Sequence, residues 1–273
     1  DYGYKTLLLK KMGKITCPVA LASMGVFSEG ALSHKALKKK IFINICKLFV
    51  LFRGILWSVT SEMEAEDVKR EIGKNIRYVV AEDIPRTNVP GYSDRSLPFS
   101  VAFLSRICPH KNLLAAIEIL RLVKTDIKFY IYGPDQDKEY WALCQKQLQT
   151  LPSNITWKYC GDVPSEEVQS KLAQHDVFLL PTMGENYGHV IFEALSVGCI
   201  PVISDRTPWI EISERKAGII CELNQLDNFS RAIEKIAKMN DTEKMDMVQN
   251  AVQVARDKVK KSKIETGYRK IFG

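Results

Sequence analysis

From residue 98 onward, short apolar runs alternate with longer segments in which apolar residues recur every three or four positions. Uninterrupted apolar runs are typical of strands buried on both faces, whereas the three-to-four spacing indicates helices with one buried face. The predicted strands are residues 99–105, 127–132, 155–159, 177–181, 200–204 and 219–221. The predicted helices are residues 111–123, 138–151, 165–175, 188–197, 226–239 and 242–261. This alternation is typical of right-handed crossovers on a parallel sheet, so it predicts an α/β fold with one complete Rossmann-like, doubly wound domain.

The first 90 residues also alternate between strand-like and helix-like segments, but they are too few for a complete doubly wound sheet. Strands are predicted near residues 19–23, 56–60 and 77–80, with a basic helix and a charged helix between them. The turn-rich stretch 85–98 is the predicted linker. We therefore predict a partial second Rossmann-like domain in residues 1–90, followed by the complete domain in residues 91–273 with a closing C-terminal helix.

The composition is that of a soluble globular protein, with 46% hydrophobic and 26% charged residues. The seven cysteines are scattered without any C-x-x-C pair, which argues against a disulfide framework and against a zinc cluster. This cysteine usage indicates a reducing compartment, so we expect a cytoplasmic protein. The chain begins at Asp1 without a signal or transit peptide, and we expect it to be a fragment of a longer protein.

Positive charge is concentrated at the start of the chain. The net charge is +7, and residues 1–60 contain ten Lys and Arg against two acidic residues. Within the basic segment 35–57, Lys47 and Arg53 interrupt the apolar residues too often for a transmembrane span. Two interpretations fit: an amphipathic helix in peripheral contact with the inner face of the membrane, or a core helix with a basic outer face. No nucleic-acid partner is expected, because no nucleic-acid-binding module is recognisable.

The most informative run is GENYGHVIFEALSVGCIPVISDRTPW, from Gly184 to Trp209. It places Glu185 and Glu193 eight residues apart, around a Gly188 that begins an apolar helical stretch. A helix that begins at a glycine beyond a strand binds anions, because its first N–H groups are unpaired and its dipole points at them. Flanking carboxylates accept hydrogen bonds from sugar hydroxyls. The run therefore predicts recognition of a sugar joined to a ribose by phosphates, although the spacing alone is uninformative.

A second candidate loop, SRICPHKN, connects the first strand of the larger domain to its first helix. Ligands of doubly wound sheets bind beyond the carboxyl ends of the strands, so this loop is predicted to lie beside the Glu185 loop. Arg106 offers a planar fork for phosphate and Lys111 offers a compact charge at the helix start.

These runs, together with IYGPD and YCGDVPSEEV, resemble the motifs of the family 4 retaining glycosyltransferases. The resemblance extends from residue 98 to about residue 235. It implies the GT-B architecture, in which an N-terminal Rossmann-like domain for the acceptor faces a C-terminal one for the nucleotide-sugar donor.

The resemblance also implies a role for each candidate residue. Arg106 and Lys111 hold the donor diphosphate and Glu185 contacts the transferred sugar, so these three are the predicted catalytic residues. Glu193 is predicted to accept hydrogen bonds from the ribose hydroxyls. The other predicted donor-binding residues are Asn186, Tyr187, Gly188, His189, Gly133, Cys160, Gly161 and Val163. No cofactor and no metal are expected, because His189 and Glu193 have no third ligand at a recognisable spacing.

The implied reaction is transfer with retention from a nucleoside diphosphate sugar to a saccharide or lipid-linked acceptor, in cell-surface glycan biosynthesis. The family's acceptor domain is longer than residues 1–90, and its glycine-rich opening loop has no counterpart here. Truncation at the N-terminus explains this and predicts poor transfer by the chain alone. The alternative is a donor-binding subunit or inactive homologue that requires a partner chain for catalysis.

Overall fold

A computed structural model of the chain describes residues 2–28, 31–32, 36–83, 86–95, 98–264 and 271. The chain divides into two units, one of residues 1–83 with 263–273 and one of residues 84–262. Each unit contains a parallel β-sheet, and the two sheets differ in size.

The smaller unit is built on three parallel strands in the order β1-β2-β3. Its core is centred on Trp57 in the central strand, whose buried ring packs against Phe27 and Phe52. The main elements of this unit are α1 (Tyr2–Lys11), β1 (Val19–Ala22), α2 (Ala36–Leu48), β2 (Ile55–Val59), α3 (Glu62–Ile72) and β3 (Arg77–Val80).

One buried carboxylate joins the carboxyl ends of β1 and β2. The Glu64 side chain accepts hydrogen bonds from the Ser23 hydroxyl and the Gly25 N–H, both at 2.6 Å. Its other oxygen accepts from the Thr60 N–H at 2.7 Å and from the Thr60 hydroxyl at 3.0 Å. These bonds satisfy a carboxylate that would otherwise be costly to bury, and they hold the turn after β1 against the start of α3.

Helix α2 exposes apolar side chains along one face. Leu37, Ile41, Ile45 and Leu48, which we call the apolar face of α2, are 74%, 51%, 41% and 77% exposed. Exposed lysines lie on the same helix at positions 38, 40 and 47. The helix ends at Leu48 and the chain enters β2 at residue 55, so the described part of the predicted segment 35–57 is not one continuous helix; residue 35 lies outside the described residues.

Among the described residues, none of the helices combines the length and the apolar composition needed to cross a bilayer.

The larger unit contains six parallel strands in the order β6-β5-β4-β7-β8-β9. The strands are β4 (Ser100–Leu104), β5 (Ile127–Tyr132), β6 (Ile155–Tyr159), β7 (Val177–Leu180), β8 (Ile200–Ser204) and β9 (Ile219–Cys221). The helices are α4 (Leu113–Leu122), α5 (Lys138–Leu148), α6 (Val168–Leu172), α7 (His189–Ser196), α8 (Glu211–Glu214), α9 (Leu226–Ala237) and α10 (Asp241–Ile264). Every residue of β4, β7 and β8 is buried, as expected for parallel strands covered on both faces. The predicted fold, α/β with one complete and one partial Rossmann-like unit of GT-B type, is confirmed.

Most predicted helices differ from the structure by one to three residues at an end, such as the helix predicted to residue 151, which ends at Leu148. Two others begin differently near the carboxyl edge of the sheet. The segment predicted as helix 165–175 forms a 3₁₀ turn at Ser165–Glu167 and then the short α6. The helix predicted from residue 111 begins at Leu113, because Pro109–Lys111 form a 3₁₀ turn and Asn112 adopts a left-handed conformation with φ 62°.

Candidate functional site

The loops that follow β4 and β7 lie side by side where the strand order reverses. Strand β4 pairs with β5 on one side and with β7 on the other, so successive strands are added on opposite sides of β4. The crevice outside the carboxyl ends of such a pair is where doubly wound sheets bind ligands. The two loops carrying most of the predicted site residues thus meet at this edge.

An ion pair joins these two loops. The Lys111 Nζ atom lies 2.5 Å from Glu185 Oε1, and the two side chains are only 13% and 8% exposed. The Glu185 N–H donates to the Arg206 carbonyl at 3.0 Å, which ties this loop to the loop after β8. At this burial, solvent screens the charges less than at an open surface, so Lys111 and Glu185 hold each other in place at the site.

His110 connects the same loops through hydrogen bonds. Its Nε2 atom lies 2.9 Å from the Gly184 carbonyl, and its own carbonyl accepts from the Met183 N–H at 2.9 Å. The Thr182 hydroxyl also contacts the His110 and Gly184 carbonyls. His110 therefore positions the loop before Glu185.

Helix α7 begins at the site with a glycine that no other residue replaces easily. Gly188 has φ 80° and ψ 57°, and a Cβ atom there would lie 2.9 Å from Ile191 Cδ1. The Trp209 Nε1–H donates to the Tyr187 carbonyl at 2.5 Å, and the Tyr187 ring contacts the rings of Trp209 and His189. Within the described part of the chain, no side-chain hydrogen bond caps the helix at Gly188. The positive end of the helix dipole therefore lies at the site and favours an anion.

Glu193 lies on α7 and pairs with a residue that the motif does not contain. The Arg86 Nε atom is 3.0 Å from Glu193 Oε1, and the Glu193 side chain is 9% exposed. Burial raises the pKa of Glu193, while the positive charges of Arg86 and His189 lower it. The sequence does not predict this contact of Arg86 with Glu193. Arg86 lies in the predicted linker, and no local pattern connects it to a helix so far along the chain.

Backbone contacts join the loops after β4, β5 and β6. The Gly133 N–H donates to the Gly161 carbonyl at 2.7 Å, and the Tyr159 hydroxyl donates to the Gly133 carbonyl at 3.0 Å. Gly133 has φ 124°, and a Cβ atom there would overlap the Ser105 carbonyl. The main chain at Gly133 and Gly161 thus forms one side of the site.

The other predicted residues occupy the same edge. Cys160 is partly buried, and its N–H donates to the Ile131 carbonyl at 2.8 Å. The Val163 N–H donates to the Asp162 carboxylate at 2.9 Å. Asn186 is partly buried and follows Glu185 directly, whereas His189 is exposed at the start of α7.

Arg106 does not join the Lys111–Glu185 pair. Its side chain is exposed and donates to the Gln136 side chain at 3.3 Å. The Arg106 guanidinium therefore lies at the solvent-exposed edge of the site, on the same loop as Lys111. Among the described residues, no group of three or more His, Cys, Asp or Glu side chains is arranged to hold a metal ion.

One protein family matches the chain: its description is Glycosyl transferases group 1, and it matches residues 95–254, more than half of the chain. Among curated proteins, none matches.

Several solved structures are similar. HepE from Anabaena, in complex with UDP-glucose, is 16% identical with a TM-score of 0.75, over 93% of this chain and 72% of that one. Sucrose-phosphate synthase from Thermosynechococcus elongatus is 15% identical with a TM-score of 0.69, over 96% and 70%. TarM from S. aureus, in a complex that includes UDP, is 18% identical with a TM-score of 0.63, over 80% and 43%. At these identities the likeness is one of fold.

Proposed function

Because the chain belongs to the family Glycosyl transferases group 1, we propose that it binds a nucleoside diphosphate sugar and transfers the sugar to a saccharide or lipid-linked acceptor. The observation that supports this most directly is the meeting of Lys111, Glu185 and the start of α7 at one edge of the sheet. Such a site offers positive charge to phosphate and carboxylate oxygens to hydroxyl groups. HepE, which shares the fold, has been crystallised with UDP-glucose and with UDP and glucose.

In this proposal the donor contacts the loops that follow β4, β5, β6 and β7. The diphosphate binds at Lys111, at the positive end of the α7 dipole and at Arg106, whose exposed side chain can move to it. A lysine ammonium has three donors, so Lys111 retains donors for phosphate while one contacts Glu185. Glu185 accepts hydrogen bonds from the transferred sugar and Glu193 from the ribose. The main chain around Gly133, Gly161 and Val163 contacts the base.

The chemistry follows from the charge that develops at the site. Breaking the anomeric C–O bond leaves an oxocarbenium-like sugar and a diphosphate anion. Lys111, Arg106 and the α7 N-terminus stabilise that leaving group, and one well-placed donor is worth about 3 kcal/mol of barrier in a water-poor site. Attack by the acceptor hydroxyl on the same face gives retention, as in family 4, and the proton of that hydroxyl passes to an oxygen of the departing diphosphate. Glu185 then acts as a positioning and electrostatic group, and the protein supplies the counter-charge without a metal.

Calorimetric titration of a panel of UDP-, GDP- and ADP-sugars, with and without chelator, tests the proposal. We expect one of them to bind in both conditions. If no nucleotide sugar binds, the donor assignment is wrong. Affinity that vanishes in chelator overturns the metal-free assignment.

A second candidate function is that of a donor-binding subunit whose acceptor half comes from a partner chain. The observation that favours it is β1, which pairs only with β2 among the described residues and has exposed alanines at positions 20 and 22. An unpaired edge of this kind accepts another strand. Transfer by the purified chain alone excludes this candidate; donor binding without transfer, restored by a partner, supports it.

We also propose that the smaller unit contacts the cytoplasmic face of a membrane in cell-surface glycan synthesis. The support is the apolar face of α2 with its lysines, since apolar residues flanked by basic ones bind anionic bilayers. All seven cysteines are free, which is compatible with a cytoplasmic site.

A further inference from the structure

The segment between residues 86 and 95 is docked along helix α7. The Asn88 carbonyl accepts from the Gln169 side chain at 3.0 Å, and the same Gln169 amide donates to Ser196 at the end of α7 at 2.8 Å. The Gly91 N–H donates to the Ser196 carbonyl at 3.0 Å. The Arg95 guanidinium donates to the Gly198 carbonyl at 2.7 Å. This part of the predicted linker is therefore fixed to the larger unit at successive points.

Arg86 lies at the front of this docked segment and reaches the middle of α7. Its Nε atom is 3.0 Å from Glu193 Oε1, with Arg86 37% and Glu193 9% exposed. A carboxylate buried to this extent is costly unless a counter-charge accompanies it. The docked backbone limits the positions open to Arg86, so this counter-charge comes from a group that is already in place.

We propose that Arg86 is a positioning residue of the donor site, which holds the Glu193 carboxylate in place and balances its charge so that it receives the hydroxyls of a nucleotide ribose. The inference rests on the proposed function in assigning the ribose to Glu193. It adds a residue outside the run from Glu185 to Glu193 and gives the docked segment a role in binding.

The chemistry of the carboxylate explains why a balanced charge matters. An ionised carboxylate accepts through two oxygens with about four lone-pair sites, so an ion pair at Oε1 leaves room for hydroxyl donors. A protonated carboxyl loses part of that capacity. Burial raises the pKa of Glu193, and the groups that oppose this are Arg86 on the docked segment and His189 on α7 itself. Without Arg86, Glu193 takes up a proton at a higher pH and ribose binding weakens as the solution becomes acidic.

The experiment compares Arg86→Ala, Arg86→Lys and Glu193→Ala with the unchanged chain. Calorimetry measures the affinity for whichever of UDP, GDP and ADP binds best, and for its 2′,3′-dideoxy form, between pH 5.5 and 8. The ratio of the two affinities reports the ribose hydroxyls alone. Arg231→Ala is the matched control, because Arg231 is exposed on α9 and its contacts are local, with an ion pair to Asp227 at 3.9 Å and a hydrogen bond to Asn228 at 3.4 Å.

We expect the unchanged chain to prefer the ribose form by about tenfold to a hundredfold, the range for hydrogen bonds to a charged group. Glu193→Ala loses this preference at every pH. Arg86→Ala reduces it roughly tenfold, more at pH 5.5 than at pH 8, whereas Arg86→Lys retains most of it and Arg231→Ala leaves it unchanged. Thermal unfolding shows whether each variant is folded.

Three outcomes overturn the inference, and they are distinguishable. If Arg86→Ala keeps the full ribose preference at every pH while Glu193→Ala loses it, Arg86 has no positioning role and the donor site stands. If Glu193→Ala also keeps the preference, the ribose does not bind at Glu193, and the donor assignment fails together with the inference. A loss in Arg86→Ala that is independent of pH and equally large in Arg86→Lys indicates a merely structural contact and also overturns it.

Discussion

The two units differ in how completely they bury their apolar residues. In the larger unit β4, β7 and β8 are buried along their whole length. In the smaller unit, α2 buries Ile43 and Cys46 but leaves the apolar face of α2 exposed, and β1 alternates between partly buried and exposed positions. The larger unit has the core of an independent domain, whereas the smaller unit presents surfaces suited to a further strand or a membrane. The predicted catalytic and donor-binding residues all lie in the complete unit, where a rigid scaffold can hold them.

The strongest test of this comparison is to separate the units. Expressed alone, residues 84–262 should unfold cooperatively and bind nucleotide within about twofold of the full chain, because the core and the ion-paired loops are all present. Residues 1–83 alone should aggregate or unfold without a cooperative transition. Chemical denaturation and calorimetry provide the measurements. If residues 1–83 alone form a soluble monomer that unfolds cooperatively, the smaller unit is complete by itself and this prediction is wrong.

Adding one methyl group should affect the two units very differently. Gly133→Ala in the larger unit places Cβ against the Ser105 carbonyl at φ 124°, so we expect a loss of about 3 kcal/mol or more in the free energy of unfolding and weaker nucleotide binding. Gly54→Ala in the smaller unit has φ 71° but open space around it, and should cost about 1 kcal/mol. Urea unfolding measures both. Equal costs would show that Gly133 is not constrained by its neighbours.

Acid should destabilise the larger unit through one buried histidine. His175 accepts or donates hydrogen bonds with Ser100 at 3.1 Å and Tyr132 at 2.8 Å. Burial lowers the pKa of His175 from 6.5 to about 4. Between these pH values the unfolded chain binds the extra proton, so the stabilisation is complete above pH 6.5 and is lost as the pH falls to about 4. The loss amounts to about 3 kcal/mol.

The matched variant for this prediction is His175→Gln. It costs stability at all pH values because it disturbs the hydrogen bonds, but it should flatten the slope of unfolding free energy between pH 6.5 and 4. Urea unfolding at a series of pH values measures the slope. An unchanged slope in the variant would assign the acid sensitivity to other groups.

Within the larger unit, the two carboxylates should bind different parts of the donor, so their substitutions should have different effects on the affinity for nucleotide and for nucleotide sugar. Glu193→Ala should weaken nucleoside diphosphate and its sugar conjugate alike, because its proposed ligand is the ribose. Glu185→Ala should weaken only the sugar conjugate. Each loss should be about 1.5–3 kcal/mol, or tenfold to a hundredfold. Calorimetry with both ligands decides, and equal losses in both variants on both ligands would contradict this division.

The smallest expected effect concerns the apolar face of α2. Ile41→Asp should reduce binding to vesicles containing anionic lipid about tenfold, because a buried isoleucine contributes about 1.5–3 kcal/mol. Leu143→Asp is the control, since Leu143 is 55% exposed on α5 of the larger unit. Vesicle cosedimentation measures both variants. If neither the unchanged chain nor either variant binds, the membrane contact is wrong, and the exposed face belongs to a protein interface.

The parallel sheet and its carboxyl edge could be predicted because apolar runs and parallel topology determine them locally. The approach of the SRICPHKN loop to Glu185 follows from the rule that ligand-binding loops meet at this edge. The family resemblance is confirmed at the level of group 1 glycosyl transferases. The assigned roles of the site residues stay predictions.

Other features depend on tertiary contacts that leave no local signal. Helix α1 has leucines at positions 7, 8 and 9 in succession, without the spacing of an amphipathic helix, yet Leu7 is buried. The bounds of α4 shift because Asn112 is left-handed, which a preceding Pro-His-Lys turn does not reveal. Arg86 pairs with a helix distant in sequence, so only the folded chain identifies it.

The Lys111–Glu185 ion pair also bears on which anions the site rejects. In the proposed function, an inorganic phosphate ion that approaches Lys111 meets a charge that is already partly balanced by a carboxylate at 2.5 Å. A phosphate ion has no sugar hydroxyls that could donate hydrogen bonds to Glu185 when the contact between Glu185 and Lys111 weakens. A nucleotide sugar brings phosphate and hydroxyls together, so it satisfies both members of the pair at once. In this proposal, Glu185 thus disfavours a phosphate ion that brings no sugar hydroxyls with it.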